Sequence, residues 1–274
     1  MQRAKDTDRA GLELLDALPT DGPVLGSVDG GVATVTLNRP EKRNALNAEV
    51  QGLLPRVVAT LDADEAVGVI ILTGADPAFC AGVDLRELGA GNTGLVLPRT
   101  RRGPLPEHRT PVIGAVNGVA VTGGLELALA CDFLIASDRA RFADTHARVG
   151  VMPGWGLTVL LPQAIGVRRA RQMSLTGNYV DAETAEAWGL VNQVVPHDEL
   201  LSTCTALARD IVSNDPVAVA QLLDTYAQTS TTTVDEAWSI EADICRAWSK
   251  EMLDPANVEK VRAEVMARGR AQQG

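Results

Sequence analysis

Apolar and polar positions along the 274-residue chain alternate with two different periods. Near the start, Pro23–Val28 and Val32–Leu37 are strand-like runs flanking Asp29-Gly30-Gly31. The glycines supply the positive φ that a tight turn needs, so the pattern predicts a hairpin. Asn38-Arg39-Pro40 ends its second strand, because proline cannot continue a ladder. From Asn47 to Asp62 the period changes. Val50, Leu53, Leu54, Val57, Val58 and Leu61 recur at helical spacing, with Pro55 expected to kink the helix. Val67–Gly74 is then an unbroken apolar run, as in a strand buried on both faces. Pro111–Val116 and Phe133–Ala136 repeat that signal, and Gly123-Gly124 opens a run of strong helix formers ending at Ala130.

Strand, turn and helix thus recur about three times between residues 24 and 140, which reads as a spiral of ββα-like turns. Residues 89–110, rich in Gly, Pro and Arg, predict a long loop. After residue 200 four helices are expected: Leu200–Val212, Pro216–Gln228, Thr233–Lys250 and Asn257–Arg270. The predicted organisation is an N-terminal extension at 1–22, with Leu12, Leu14, Leu15 and Leu18 on one short turn. An α/β core follows at 23–199, and a helical region at 200–274.

Composition narrows the function. Hydrophobic residues make up 46% and charged residues 22%, enough to bury a core and too apolar for disorder. The net charge of −10 and nine aromatic residues argue against nucleic acid or an anionic membrane as partner. The longest apolar stretch, Val112–Ala130, carries Asn117, Thr122 and Glu126 and makes a poor membrane span. Residues 1–20 lack the apolar segment of a secretory leader, so a cytoplasmic location is expected. Cys80, Cys131, Cys204 and Cys245 form no CxxC pair, and His108, His146 and His197 show no metal-ligand spacing. No metal is expected. His108 and His197 are expected on the solvent, and Asp132 in a local cap or pair.

Two glycine-rich segments could carry chemistry. Ala78-Phe79-Cys80-Ala81-Gly82-Val83-Asp84-Leu85 follows a buried strand, where small residues leave amide N–H groups uncovered. Asn117 to Glu126 enters a helix, whose first N–H groups lack partners and favour negative charge. One donor from each could cradle an oxyanion, with Glu126 close by. The alternative from spacing alone is two turns around a tightly packed core.

The segments TLNRPEKRNALN (36–47), ILTGADPAFCAGVDL (71–85), PVIGAVNGVAVTGGLELALACD (111–132), RFADTHARVGVMPGWG (141–156) and LTGNYVDAETAEAWGLVNQVV (175–195) occur in one order. Together they resemble the crotonase, or enoyl-CoA hydratase/isomerase, superfamily over more than half of the chain. The resemblance implies a crotonase-like spiral of ββα turns with an α-helical C-terminal trimerisation region, in a homotrimer or dimer of trimers. It implies an acyl-CoA thioester as substrate and no cofactor, coenzyme A being part of the substrate. It places oxyanion-hole amides on Ala81 and Gly123 and a general base on Glu126. Substrate contacts fall on Ala78, Ala81, Asp84, Leu85 and Gly123, and on Trp155, for which core packing is the equal alternative.

The sequence departs from the family at one point. The second glutamate of the family's hydratases is replaced by His146. Histidine changes charge near neutral pH and can deliver a proton to the α-carbon, whereas an isomerase relying on that glutamate would lack its base. Asp144 is a second candidate in the same turn. Cys80 reads as a small apolar filler, and Arg99, Arg101, Arg102 and Arg109 as a solvated loop or an attractor of CoA phosphates. The C-terminal EKVRAEVMARGRAQQG lacks the aromatic pattern with which relatives reach a neighbour's CoA. The expected reaction is hydration of a trans-2-enoyl-CoA. The alternatives are an isomerase, decarboxylase or thioester hydrolase on the same scaffold, or a non-catalytic acyl-CoA-binding protein.

Overall fold

The computed structural model describes Leu15, residues 18–97 and residues 103–273. The hairpin forms as β1 (Val24–Asp29) and β2 (Val32–Leu37), with Asp29 opposite Val32. The two-residue turn is Gly30-Gly31, at φ 55° and 82°. From there the chain steps between two sheets. β3 (Val69–Gly74), β5 (Val112–Val116), β7 (Phe133–Ser137) and β10 (Gln193–Val195) extend the hairpin in the order β1-β2-β3-β5-β7-β10. β4 (Ala78–Cys80), β6 (Val119–Val121), β8 (Arg141–Ala143) and β9 (Val180–Asp181) form the second sheet, in that order. Each step contributes a strand to the first sheet, a short strand to the second, and then a helix. These helices are α2 (Leu85–Gly89) after β4, α3 (Gly123–Leu129) after β6, and α4 (His146–Val149) after β8. This is the expected ββα spiral.

The unbroken apolar run of β3 has the expected cause. Val69 and Ile71 pack with Val32, Ile113, Ala115, Ile135 and Val195 on one face, while Ile70 and Leu72 join the larger cluster on the other. On the larger side lies α1 (Ala48–Asp62), started by Asn47, whose side chain accepts from Val50 N–H at 2.9 Å. Pro55 lies inside α1 without ending it. The opposite face is covered by α8 (Leu200–Val212) through Leu200, Cys204 and Ala208. Between them in sequence come α5 (Leu157–Ile165), α6 (Val167–Thr176) and α7 (Ala182–Trp188).

Because α8 is part of that core, the compact units divide between Ala220 and Gln221 rather than at residue 200. Leu207 and Ile211 accordingly pack against the sheet. Of the expected N-terminal extension, only Leu15 and residues 18–22 are described. Leu15 is buried in the larger cluster and Leu18 packs on it, whereas residues 1–14, 16 and 17 lie outside the described residues. The helix α9 (Pro216–Thr229) runs across the division. The second unit continues with α10 (Val234–Glu251) and α11 (Pro255–Gln273). A capping box starts α10: Thr233 accepts from Glu236 N–H and Glu236 accepts from Thr233 N–H. Two large aromatic side chains of this unit are open, Tyr226 on α9 at 70% and Trp238 on α10 at 69% exposure. Among the described residues no helix is long and apolar enough to cross a membrane.

Ile71, with 0% exposure at the centre of the six-stranded sheet, gives a direct stability test. Ile71→Ala should cost about 2–5 kcal/mol. The expected result in urea unfolding is a lower midpoint with an unchanged slope.

Candidate active site

The entry to α3 is set by close backbone packing. A Cβ on Gly124 would sit 2.0 Å from the Cys80 carbonyl oxygen, so only glycine lets the helix start touch β4. Before it, Thr122 is held at φ 55°, an uncommon conformation for a β-branched residue. Its hydroxyl lies 2.6 Å from that of Thr145 and accepts from Thr145 N–H at 3.1 Å, tying the start of α3 to the turn before α4.

One turn into α3, Glu126 is 2% exposed. Its Oε1 accepts from Trp155 N–H at 2.7 Å and from Leu157 N–H at 3.4 Å. Its Oε2 lies 3.6 Å from His146 Nε2. The other ring nitrogen, Nδ1, is 2.6 Å from Asp144 Oδ1, which also accepts from His146 N–H at 3.1 Å. Three ionisable groups are therefore in line, Asp144–His146–Glu126, all buried.

Burial pushes the Glu126 carboxyl above its ordinary value, and hydrogen bonds from Trp155 and Leu157, with the nearby imidazole, limit the rise. Burial acts upward on Asp144 too, but hydrogen bonds from His146 and the Ser174 hydroxyl outweigh it and hold that carboxyl below its ordinary value. Of the two carboxylates flanking the imidazole, Asp144 stays ionised and Glu126 is the better proton acceptor.

These groups open on a cavity lined by Ala81, Val83, Leu85, Glu126, His146 and Trp155, among others. Gly123 follows the lining residue Thr122, and a Cβ on it would lie 3.0 Å from the Trp155 ring. Ala78 and Asp84, two further expected contacts, are not among the residues lining this cavity. Ala78 is fully buried, its carbonyl taken by the Asn44 and Asn117 side chains. The Asp84 carboxylate caps α2 at Arg86 N–H and pairs with Arg39 at 3.1 Å.

The oxyanion donor expected on Ala81 is also corrected. Ala81 N–H donates to the Arg43 carbonyl at 3.0 Å and is not free. The segment pairs with Arg43–Leu46: Leu46 N–H donates to Gly82 O, and Asp84 N–H to Leu46 O. Val83 sits opposite Leu46 in an isolated bridge, and its N–H has no partner among the described residues. A Cβ on Gly123 would lie 3.5 Å from Val83 N. The two uncommitted amides beside the cavity are those of Val83 and Gly123. The alternation of small residues around Gly82 did not show which amide the neighbouring segment consumes.

His108 and His197, expected on the solvent, are held by carboxylates: His108 Nε2 is 3.5 Å from Asp132 Oδ2 and His197 Nε2 is 3.0 Å from Asp76 Oδ2. Asp132 also accepts from Val112 N–H at 2.7 Å. Cys80 is fully buried and its thiol is pushed up to about 12 by burial, as suits a packing residue. Arg109 donates its N–H to Asp62, whereas Arg99, Arg101 and Arg102 lie outside the described residues. Among the described residues no group of three or more His, Cys, Asp or Glu is placed to hold a metal ion.

The family model for enoyl-CoA hydratase/isomerase matches residues 27–253. The chain belongs to the enoyl-CoA hydratase/isomerase family. It is 42% identical over 195 residues to the probable peroxisomal enoyl-CoA hydratase 1 of Arabidopsis thaliana, covering 70% of this chain and 74% of that one. Among solved structures, the enoyl-CoA hydratase of Mycobacterium tuberculosis H37Rv is 49% identical with TM-score 0.72, over 82% of this chain and 98% of the other. The enoyl-CoA hydratase of Bacillus anthracis is 30% identical with TM-score 0.81, over 88% and 96%. The likeness is to the whole crotonase fold, the spiral and the helices after it, and not to a single motif.

The raised Glu126 carboxyl has a stability consequence. The folded protein holds that proton more tightly than the unfolded chain, so stability present below the unfolded value is lost as pH rises through the folded one. Glu126→Gln keeps an acceptor for Trp155 N–H and removes the buried charge. The variant is expected to melt higher than wild type at pH 8 and to lose that advantage at pH 4, as read by differential scanning calorimetry.

Proposed function

We propose that this protein hydrates trans-2-enoyl-CoA thioesters to 3-hydroxyacyl-CoA, with Glu126 as general base and His146 as the proton donor to the α-carbon. The observation that carries this reading is the buried Glu126–His146 pair, 3.6 Å apart, facing a cavity beside two uncommitted backbone amides. The curated relative from Clostridium acetobutylicum named short-chain-enoyl-CoA hydratase, 41% identical over 199 residues, supports the reaction class.

The chemistry follows from the geometry. The thioester carbonyl gains negative charge when water adds at the β-carbon, and Val83 and Gly123 N–H groups are the donors for that oxygen. Fixed amides of this kind need little reorganisation, and one is worth roughly 2.7–4 kcal/mol at the transition state. Glu126 takes a proton from water as the oxygen attacks. The enolate then collapses and its α-carbon takes a proton from His146 Nε2. Water has been added across the double bond, Glu126 holds a proton, and His146 has lost one. Transfer of that proton from Glu126 to His146 restores the starting state. Coenzyme A enters as part of the substrate, with Ala81 and Leu85 toward its pantetheine and Trp155 toward the acyl group in the cavity they line, and the reading calls on no further cofactor.

The same proposal includes a cytoplasmic location, supported by four free cysteines among the described residues, and a homotrimer or dimer of trimers. The exposed apolar residues of the C-terminal helices, such as Leu222, Tyr226, Val234 and Trp238, support self-association. Light scattering at micromolar concentration should return three or six times the chain mass, and a stable monomer would remove the oligomer.

Loss of enoyl-thioester absorbance with crotonyl-CoA and longer homologues tests the reaction. Glu126→Gln is expected to lower kcat on the order of 10²–10⁴-fold with KM within about threefold. Turnover near that of wild type would show that Glu126 is not the base.

A bell-shaped pH profile is expected, because turnover needs Glu126 as the ionised base together with a separate proton donor. His146→Gln should be slower on the order of 10²-fold or more and lack the alkaline limb. A variant as active as wild type, with the limb intact, would assign both proton transfers to Glu126.

A further inference from the structure

We propose that Asp144 is a positioning residue: it holds the His146 ring in its Nδ1–H form and leaves Nε2 as the one atom that exchanges protons with Glu126 and substrate. This rests on the hydratase reading above. An ionised carboxylate only accepts hydrogen bonds. With Oδ1 at 2.6 Å, Nδ1 must therefore carry a hydrogen. The same oxygen accepts the backbone N–H of His146, so one atom fixes both the ring and the chain that bears it.

Asp144 is itself fixed. It is 1% exposed at the end of β8, and the Ser174 hydroxyl on α6 bonds its carboxylate. The groups facing the His146 ring from its surroundings are Asp144 from the end of β8 and Glu126 from α3. Arg148, the other charged residue on α4, is turned to the Thr176 carbonyl and the Asn178 side chain.

The opposite tautomer is disfavoured on both sides. It would set a lone pair against the Asp144 carboxylate and fix an N–H toward Glu126, where no proton could be accepted. In the Nδ1–H form, neutral Nε2 accepts the proton that Glu126 took from water. The resulting imidazolium lies between two carboxylates, which restores the starting state, and its Nε2–H is the proton passed to the α-carbon in the next turnover. Asp144 thus gives the relay its direction without touching substrate. Charge is also balanced: the two carboxylates and the imidazolium sum to −1, the same as a neutral acid and one carboxylate.

Asp144→Asn separates this role from simple packing. An amide can donate or accept, so either tautomer of His146 is tolerated, and the imidazolium loses a charged partner. In serine hydrolases the equivalent change costs about 10⁴-fold in kcat through the wrong tautomer. The full-length protein labelled with ¹⁵N-histidine contains three histidines, and His146→Gln assigns the signal. In wild type at alkaline pH, His146 is expected to show a protonated Nδ1 and an unprotonated Nε2. Asp144→Asn should populate the Nε2–H form, lower kcat about 10²-fold or more with KM within about threefold, and move the alkaline limb to lower pH.

A wild-type ring protonated at Nε2 would overturn the proposal, and that measurement stands even if the variant fails to fold. An Asp144→Asn protein with unchanged tautomer and unchanged pH profile would overturn it too, whatever its kcat. If wild type hydrates no enoyl-CoA, the hydratase reading fails, while the tautomer still decides the geometry claimed for Asp144.

Discussion

The structure is organised around one costly element, the carboxylate of Glu126 inside the protein. A buried charge without partners is unstable, so the fold must bring donors to it. They come from a single turn, where Trp155 and Leu157 N–H groups converge on Oε1. Gly156 between them adopts φ 107°, a conformation that a residue with a Cβ seldom takes. The remaining oxygen is left for His146. Burial raises the affinity of Glu126 for a proton, and these hydrogen bonds limit the rise without cancelling it. A base prepared this way is less stable than a neutral side chain of the same shape, and more useful near neutral pH.

A second constraint is the distance between backbones. The end of β4 and the start of α3 approach so closely that Gly124 has no room for a side chain. Next to them, the segment Arg43–Leu46 hydrogen-bonds alternate groups of Ala81–Asp84 and leaves the Val83 amide uncommitted. The strained Thr122 turn places the Gly123 amide on the same side and is locked by the hydroxyl of Thr145. Strain concentrated beside a reactive group, and sustained by bonds around it, is a common arrangement in active sites. Here the same bonds link the amide side of the cavity to the turn that carries Asp144 and His146.

Much of this was legible in the chain itself. Continuous apolar runs marked β3 and β5 because both faces of those strands are covered. The helix expected over Thr233–Lys250 matches α10, because its start is fixed by a local interaction between residues three apart, Thr233 and Glu236. Five motif segments in order identified the spiral and singled out Glu126 and His146. The second sheet was not legible, because strands of two or three residues give no alternation to read. The role of α8 in the core was not legible either, since its apolar face looks the same whether it covers a sheet or a neighbouring chain.

What the sequence by itself determined is therefore the order of elements and the residue types offered to the site: small residues at 81–83 and 122–124, a carboxylate at 126, an imidazole at 146. Only the tertiary structure decided which of those groups remain available. The Arg43 carbonyl takes the Ala81 amide and leaves Val83's; Arg39 takes the Asp84 side chain; Asp144 takes one nitrogen of His146 and leaves the other for Glu126. Each choice is a hydrogen bond between residues whose pairing is fixed by chain crossing or by a turn's local shape. Composition and periodicity state that donors and acceptors exist, and saturation of each by one partner is settled only when the chain has folded.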